Sequence, residues 1–209
     1  MCDEYVRKIE LDRALATMDN LGMPPFTWWD DSPPKEMGPQ SSIKVRNRGF
    51  VIRRRVDRQQ LVGKMKPWAW TGPRGKPVFN FTSEQRDFRQ SDRVLILATG
   101  FYEYTTPTQS RAKLKDRHLF QMVDQDWFWI AGIARNGCFT MLTIGAGPDI
   151  APYCHRQVVV LPPAAGMDWL TLSQPQSELL KAPPAGTLMA EMHRRNSIVA
   201  LARQPRELS

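Results

Sequence analysis

The chain has 209 residues, 42% of them hydrophobic, 24% charged and 10% aromatic, which is enough for one well-buried core and excludes global disorder. Twenty-nine basic residues oppose 21 acidic ones, and the net charge of +8 favours a polyanionic partner, nucleic acid first. No apolar run approaches the about 20 residues of a membrane span. The start MCDEYVRKIELDRAL lacks an apolar signal core, and cysteines 2, 138 and 154 have neither disulfide nor zinc spacing, so a cytoplasmic protein with no metal and no cofactor is expected.

Ile9, Leu11, Leu15 and Met18 recur near helical spacing and predict a first helix over 8–18. Residues 22–40 carry Pro24, Pro25, Pro33 and Pro34 and read as a loop. Partial alternation over 43–56 predicts one or two strands, with Arg53, Arg54 and Arg55 concentrating positive charge. Gly72, Pro73, Gly75 and Pro77 make 68–80 a surface loop, and 84–89 suits a short helix. Segments 93–99, 101–105, 118–123, 127–134, 138–144 and 157–161 are closely spaced and rich in β-branched or aromatic residues, so six strands are expected there. A helix over 173–181 and a turn at 182–186 precede a basic tail. The expected fold is α+β: a single domain over 2–209 with an antiparallel, barrel-like β-rich core flanked by short helices.

Three residues invite chemistry. Cysteine is small enough at position 2 for aminopeptidase removal of Met1. The exposed Cys2 would then join an amine of pKa about 8 to a thiol of pKa about 8.5. Such a 1,2-aminothiol forms a Schiff base with an aldehyde and closes a thiazolidine ring, which an internal cysteine cannot do. From position alone, an incidental cysteine is the simpler explanation. Glu103 lies within Gly100-Phe101-Tyr102-Glu103-Tyr104 after the apolar LILAT. If buried it would have a raised pKa and suit proton shuttling; on an edge strand it would face water. His155, in Tyr153-Cys154-His155 before QVVVL, sits at a strand mouth as a general acid or base, or as a structural histidine.

The ordered set Met1-Cys2, Pro77-Val78-Phe79-Asn80 with Glu84, Gly100 to Tyr104, Phe128 to Ile133, Met141-Leu142-Thr143 and His155 through Pro162 resembles the SOS response-associated peptidase (SRAP) family of abasic-site processing proteins. The likeness is clear over about 2–170 and leaves a helix and basic tail over 171–209. It implies a β-rich core flanked by helices and covalent trapping of abasic sites in single-stranded DNA. Cys2 would form the thiazolidine with the ring-opened sugar, Asn80 would orient the N-terminus or sugar, Glu103 would shuttle protons, and His155 would assist ring opening or reversal. The sequence departs from the family pattern at Asp3 and Glu4, whose carboxylates should raise the thiol pKa, and at Thr82, Ile144 and Gln157.

Arg53, Arg55, Arg74, Trp68 and Trp70, with Thr143 from the family-like block, are expected to contact DNA, cations on phosphates and rings on bases. The partner is then single-stranded DNA containing abasic sites, with a monomeric protein and no membrane. Two alternatives stay open: a thiol peptidase using Cys2 and His155, and a basic single-strand binder without chemistry.

Overall fold

The computed structural model describes residues 2–35, 37–106 and 115–193; Met1 and the basic tail beyond 193 lie outside the described residues. In chain order the elements are β1 (Glu4–Arg7), α1 (Leu11–Asn20), β2 (Phe26–Trp28), β3 (Gln40–Lys44), β4 (Arg48–Arg55), β5 (Gln60–Pro67), β6 (Trp70–Thr71), β7 (Pro77–Val78), β8 (Asn80–Thr82), β9 (Asp92–Ala98) and β10 (Gly100–Thr105). They continue with β11 (Asp116–Met122), β12 (Phe128–Arg135), β13 (Cys138–Gly145), β14 (Arg156–Val158), β15 (Val160–Leu161), α2 (Gly166–Thr171), α3 (Gln176–Leu179) and β16 (Leu188–His193). The expected α+β class, strand-rich and with short helices, is what the chain adopts.

Two sheets carry the architecture among the described residues. One runs β16-β11-β10-β1-β3, and the larger runs β14-β13-β12-β9-β4-β5-β2, with β15 beside β12 and β8 beside β13. Pairing is antiparallel except for β2 on β5 and β8 on β13. The β9 sequence explains the layering. Val94, Ile96 and Ala98 face a cluster shared with Tyr5, Phe101 and Phe120 of the smaller sheet, while Leu95 and Leu97 face a cluster shared with Leu11, Ala14, Trp169 and Leu170 of the helices. Side chains alternate across a strand, so a strand buried on both faces is a continuous apolar run. The Trp169 indole donates to the Val94 carbonyl at 3.0 Å, so the helical layer meets the sheet with its polar atom satisfied.

Several local expectations are corrected. Residues 84–89 form a turn because Gln85 takes a left-handed φ of 60° and the Phe88 N–H goes to the Gln176 side chain at 2.7 Å. The helix expected over 173–181 shrinks to α3, since Pro175 precedes it and Leu172 is left-handed. The 22–40 loop contributes β2, and β5, α2 and β16 are additional elements.

Candidate functional site

Cys2 lies just ahead of β1, where Val45 N–H bonds the Asp3 carbonyl and β1 is held between β3 and β10. Its side chain is 1% exposed, and Sγ donates to the Glu4 carbonyl oxygen at 3.3 Å. Asn80 opens β8, in register with Met141 of β13, and its Nδ2 donates to the Cys2 carbonyl at 2.7 Å. The amide therefore fixes the backbone on which the thiol and its α-nitrogen sit. Asn80 Oδ1 is buried with no hydrogen-bond partner among the described residues, which leaves an acceptor beside Cys2.

Glu103 is 1% exposed on β10. Burial pushes its carboxyl above the ordinary carboxylate range, against the opposing hydrogen bond from the Cys154 thiol. Burial also pushes the Cys2 thiol well up, and the Glu103 carboxylate adds to it, followed by Asp3. The two groups thus disfavour each other's ionised forms. Of the two carboxylates expected to oppose the thiol, Glu4 does not. Its side chain binds Ser42, Tyr104 and Arg117, and only its backbone carbonyl meets Cys2. Burial penalises that carboxylate, yet the hydroxyls and the guanidinium outweigh it, and Glu4 titrates below its usual range.

His118 had no assigned role in the sequence. It sits opposite Glu103 in the β10–β11 register, is buried, exchanges a hydrogen bond with Thr105 Oγ1 at 2.9 Å and packs on Tyr153 at 4.7 Å. Residues directly opposed on antiparallel strands place their Cβ atoms about 5 Å apart. Burial lowers its pKa, so its neutral form backs the Glu103 region near pH 7. Strand register links it to Glu103, and register is not readable from spacing. Cys154 was visible only as part of the Tyr153-Cys154-His155 motif, and its bond to Glu103 depends on the turn before β14. His155 itself is exposed, its carbonyl taking the Ala146 N–H at 3.1 Å, and no hydrogen bond joins it to Cys2 among the described residues.

The residues expected on DNA separate into two groups. Trp68 is fully buried, stacked on Phe139, edge-on to Tyr5, with its indole donating to Phe79 O at 2.9 Å. Trp70 is 7% exposed and packs on Phe81. Neither ring has a free face for a base, which corrects the stacking role: Trp68 packs in the buried cluster of Cys2 and Tyr5, and Trp70 in the cluster shared with the helices. Thr143 is buried and takes a hydrogen bond from Arg156 at 3.3 Å, so it is also structural. Arg53, Arg55 and the left-handed Arg74 remain at the surface. Glu84, just after β8, forms an ion pair at 2.8 Å with Arg156 of β14, and of the departures from the family pattern buried Gln157 accepts from the Gly147 N–H at 2.6 Å. Thr82 is exposed.

Taken together, the site offers a buried thiol, an amide that fixes its backbone and a carboxyl whose protonated form burial favours. Among the described residues, no group of three or more His, Cys, Asp or Glu is placed to hold a metal ion, and no helix is long and apolar enough to cross a membrane.

Comparison with known proteins bears on the family and the fold. A family model described as SOS response associated peptidase (SRAP) matches residues 1–199. No curated protein matches the sequence. A crystal structure of a protein from Bordetella bronchiseptica superposes with a TM-score of 0.66 at 23% identity, covering 92% of this chain and 100% of that one. One from Bacteroides thetaiotaomicron gives 0.64 at 16%, covering 93% of each chain, and a phage-related protein from Bordetella bronchiseptica gives 0.64 at 22%, covering 93% and 95%. At these identities the structures show a shared fold.

Proposed function

This chain belongs to the SOS response associated peptidase (SRAP) family, and from that premise we propose that it recognises abasic sites in single-stranded DNA and joins them covalently through Cys2 once Met1 is removed. Family membership ties it to the response to DNA damage. The finer reading is supported by one observation above the rest: the Asn80 amide donates to the Cys2 carbonyl at 2.7 Å, in a site where the buried Glu103 carboxylate is near enough to raise the thiol's pKa.

The chemistry follows from the pKa directions. The α-amine of Cys2 attacks the ring-opened sugar aldehyde to give a carbinolamine. Glu103, whose protonated form burial favours, donates to the departing hydroxyl, which leaves as water and yields a protonated imine. Glu103 is then a carboxylate and takes the Sγ proton as sulfur adds to the imine carbon, closing the thiazolidine. The raised thiol pKa makes a base necessary for this second step, and the first step creates it. One amine, one thiol and one aldehyde are consumed and one water is released. Asn80 holds the backbone so that nitrogen and sulfur reach the same carbon.

The test is a mass measurement on purified protein incubated with single-stranded DNA carrying one abasic site. The expected product lacks Met1 and is heavier by the strand less one water, while an intact strand gives no adduct. Without borohydride, Cys2→Ala and Cys2→Ser are both expected to give none; each keeps the α-amine but lacks the thiol, so each gives only an imine that requires borohydride trapping. A covalent band for Cys2→Ala on a denaturing gel without borohydride, or an adduct on protein that retains Met1, would end this reading.

A further inference from the structure

β4 and β5 pair so that Val51 faces Lys64, Arg53 faces Val62 and Gly49 faces Lys66, and opposed residues share a sheet face. Trp29 reaches that face from the end of β2, with its N–H bonded to the Gly63 carbonyl at 3.0 Å. Its ring is 40% exposed. The Arg53 guanidinium lies 4.2 Å from the ring centroid, Lys64 Nζ 5.3 Å and the Arg55 guanidinium 5.9 Å. With Val51, Val62 and Lys66 these residues line a cleft of about 330 Å³.

The cations there are only loosely neutralised. Asp92, Asp57 and Asp30 approach Arg53, Arg55 and Lys64 at 3.5, 3.2 and 3.5 Å, and each of these acids is more exposed than its partner. Exposed pairs of this kind contribute little and exchange readily for another anion. Lys66 titrates below its usual range because of burial first, and then because Arg53 and Lys64 repel its charge, a second sign of crowded cations.

The placement fits a strand leading away from Cys2. Val51 belongs to the same buried cluster as Cys2. One step along β4, a side chain at Gly49 would run into Tyr5 and Phe139, so the backbone approaches the β1 layer closely there. Arg53 is four residues farther, about 13 Å along the strand. Same-face cations on β4 and β5 recur about every 6.6 Å. A partly open indole capped by a guanidinium offers flat surfaces on which bases stack, with phosphate-binding groups at its rim. An acidic protein segment would use the cations and leave the ring without a role.

We infer that Trp29, Arg53, Arg55 and Lys64 form an outlying subsite that stacks a base and holds phosphates of single-stranded nucleic acid beyond the reactive position. This rests on and deepens the proposed function, because it extends the contact past the abasic nucleotide. It also supplies the aromatic platform that buried Trp68 and Trp70 do not.

The experiment titrates labelled intact single strands of about 16 and about 4 nucleotides, bracketing typical site sizes, into wild type, Trp29→Ala, Trp29→Phe and the double variant Arg53→Gln/Lys64→Gln, all matched by thermal melting. Trp29→Ala is expected to weaken binding of the longer strand about tenfold, the range of one lost stacking contact, and so to close the affinity gap between the two lengths. Trp29→Phe should recover most of it. The double variant should lower the slope of log affinity against log salt by about 1.4, as for two phosphates of a single strand. Wild-type affinity of Trp29→Ala for the longer strand, an unchanged salt slope in the double variant, or preferential binding of polyglutamate would each overturn the subsite. Because these strands carry no abasic site, failure to form a covalent adduct leaves this result standing, and a Trp29-independent affinity leaves the adduct chemistry standing.

Discussion

Glu103 joins two properties that pull against each other. A buried carboxyl costs stability when ionised and is useful in catalysis because it resists ionising. Its folded pKa lies above the unfolded value, so between the two the folded chain binds more protons than the unfolded chain. That contribution is therefore present at low pH and is lost as pH rises through the folded pKa. Glu103→Gln removes the loss. Melting temperatures from pH 4 to pH 8 should fall more steeply for wild type than for the variant; parallel curves would show that Glu103 is not held protonated. Other carboxylates, Glu4 among them, act in both proteins and cancel in the difference. Adduct formation should slow by roughly 10²–10⁴ in the same variant, the usual range for losing a general acid–base group. The opposite effects on stability and rate would separate a poised catalytic carboxyl from a structural one.

At the scale of elements, β1 is the strand that matters most, because Cys2 lies just ahead of it and it must be fixed on both edges. Glu4 stitches it to three neighbours, through Ser42 on β3, Tyr104 on β10 and Arg117 on β11. Arg7, fully buried at the other end of the strand, donates to the Met37 and Gly38 carbonyls at 2.8 and 3.1 Å and anchors the segment leading into β3. Glu4→Gln keeps the shape but leaves the Arg117 guanidinium, 20% exposed, without its charge partner. Breaking a buried pair on one side costs about 3 kcal/mol at the low end, or roughly 6–12 °C in Tm for a chain of this size. Calorimetry checks it. The lowered pKa of Glu4 makes its contribution present above the ordinary carboxylate range and lost as pH falls through the folded value, so the gap between variant and wild type should narrow in acid. Elements of this kind differed in how visible they were beforehand. β9 and β12 declare themselves as apolar runs because both faces are covered. β5 has Leu61, Val62 and Gly63 buried in a row and alternates only over Lys64, Met65 and Lys66, and β16 is an edge with Met189 and Met192 exposed, so neither carries a full strand period. At the site, Cys2, Asn80 and Glu103 could be named from motif order, whereas His118 and Cys154 enter through register and turn geometry. Trp68 and Trp70 were placed on DNA because composition cannot tell a ring under a sheet from a ring above it.

Across the whole molecule, the net charge of +8 is set against a site whose reactive group is shielded. The two act on different steps. Long-range attraction raises the rate of encounter with a polyanion and is screened within about 8–10 Å at ordinary ionic strength. The covalent steps take place among buried groups, where added salt screens much less. Adduct formation measured at limiting DNA should therefore fall steeply as salt rises from about 50 to about 200 mM, by a factor set by the number of phosphates contacted. The first-order rate at saturating abasic DNA should change little. Rapid-quench measurements over a range of DNA concentrations at each salt give both constants. If the saturated rate fell as steeply as the limiting one, phosphate contacts would be positioning the sugar for attack in addition to capturing the strand. The surface cations would then belong to the chemistry as well as to the encounter.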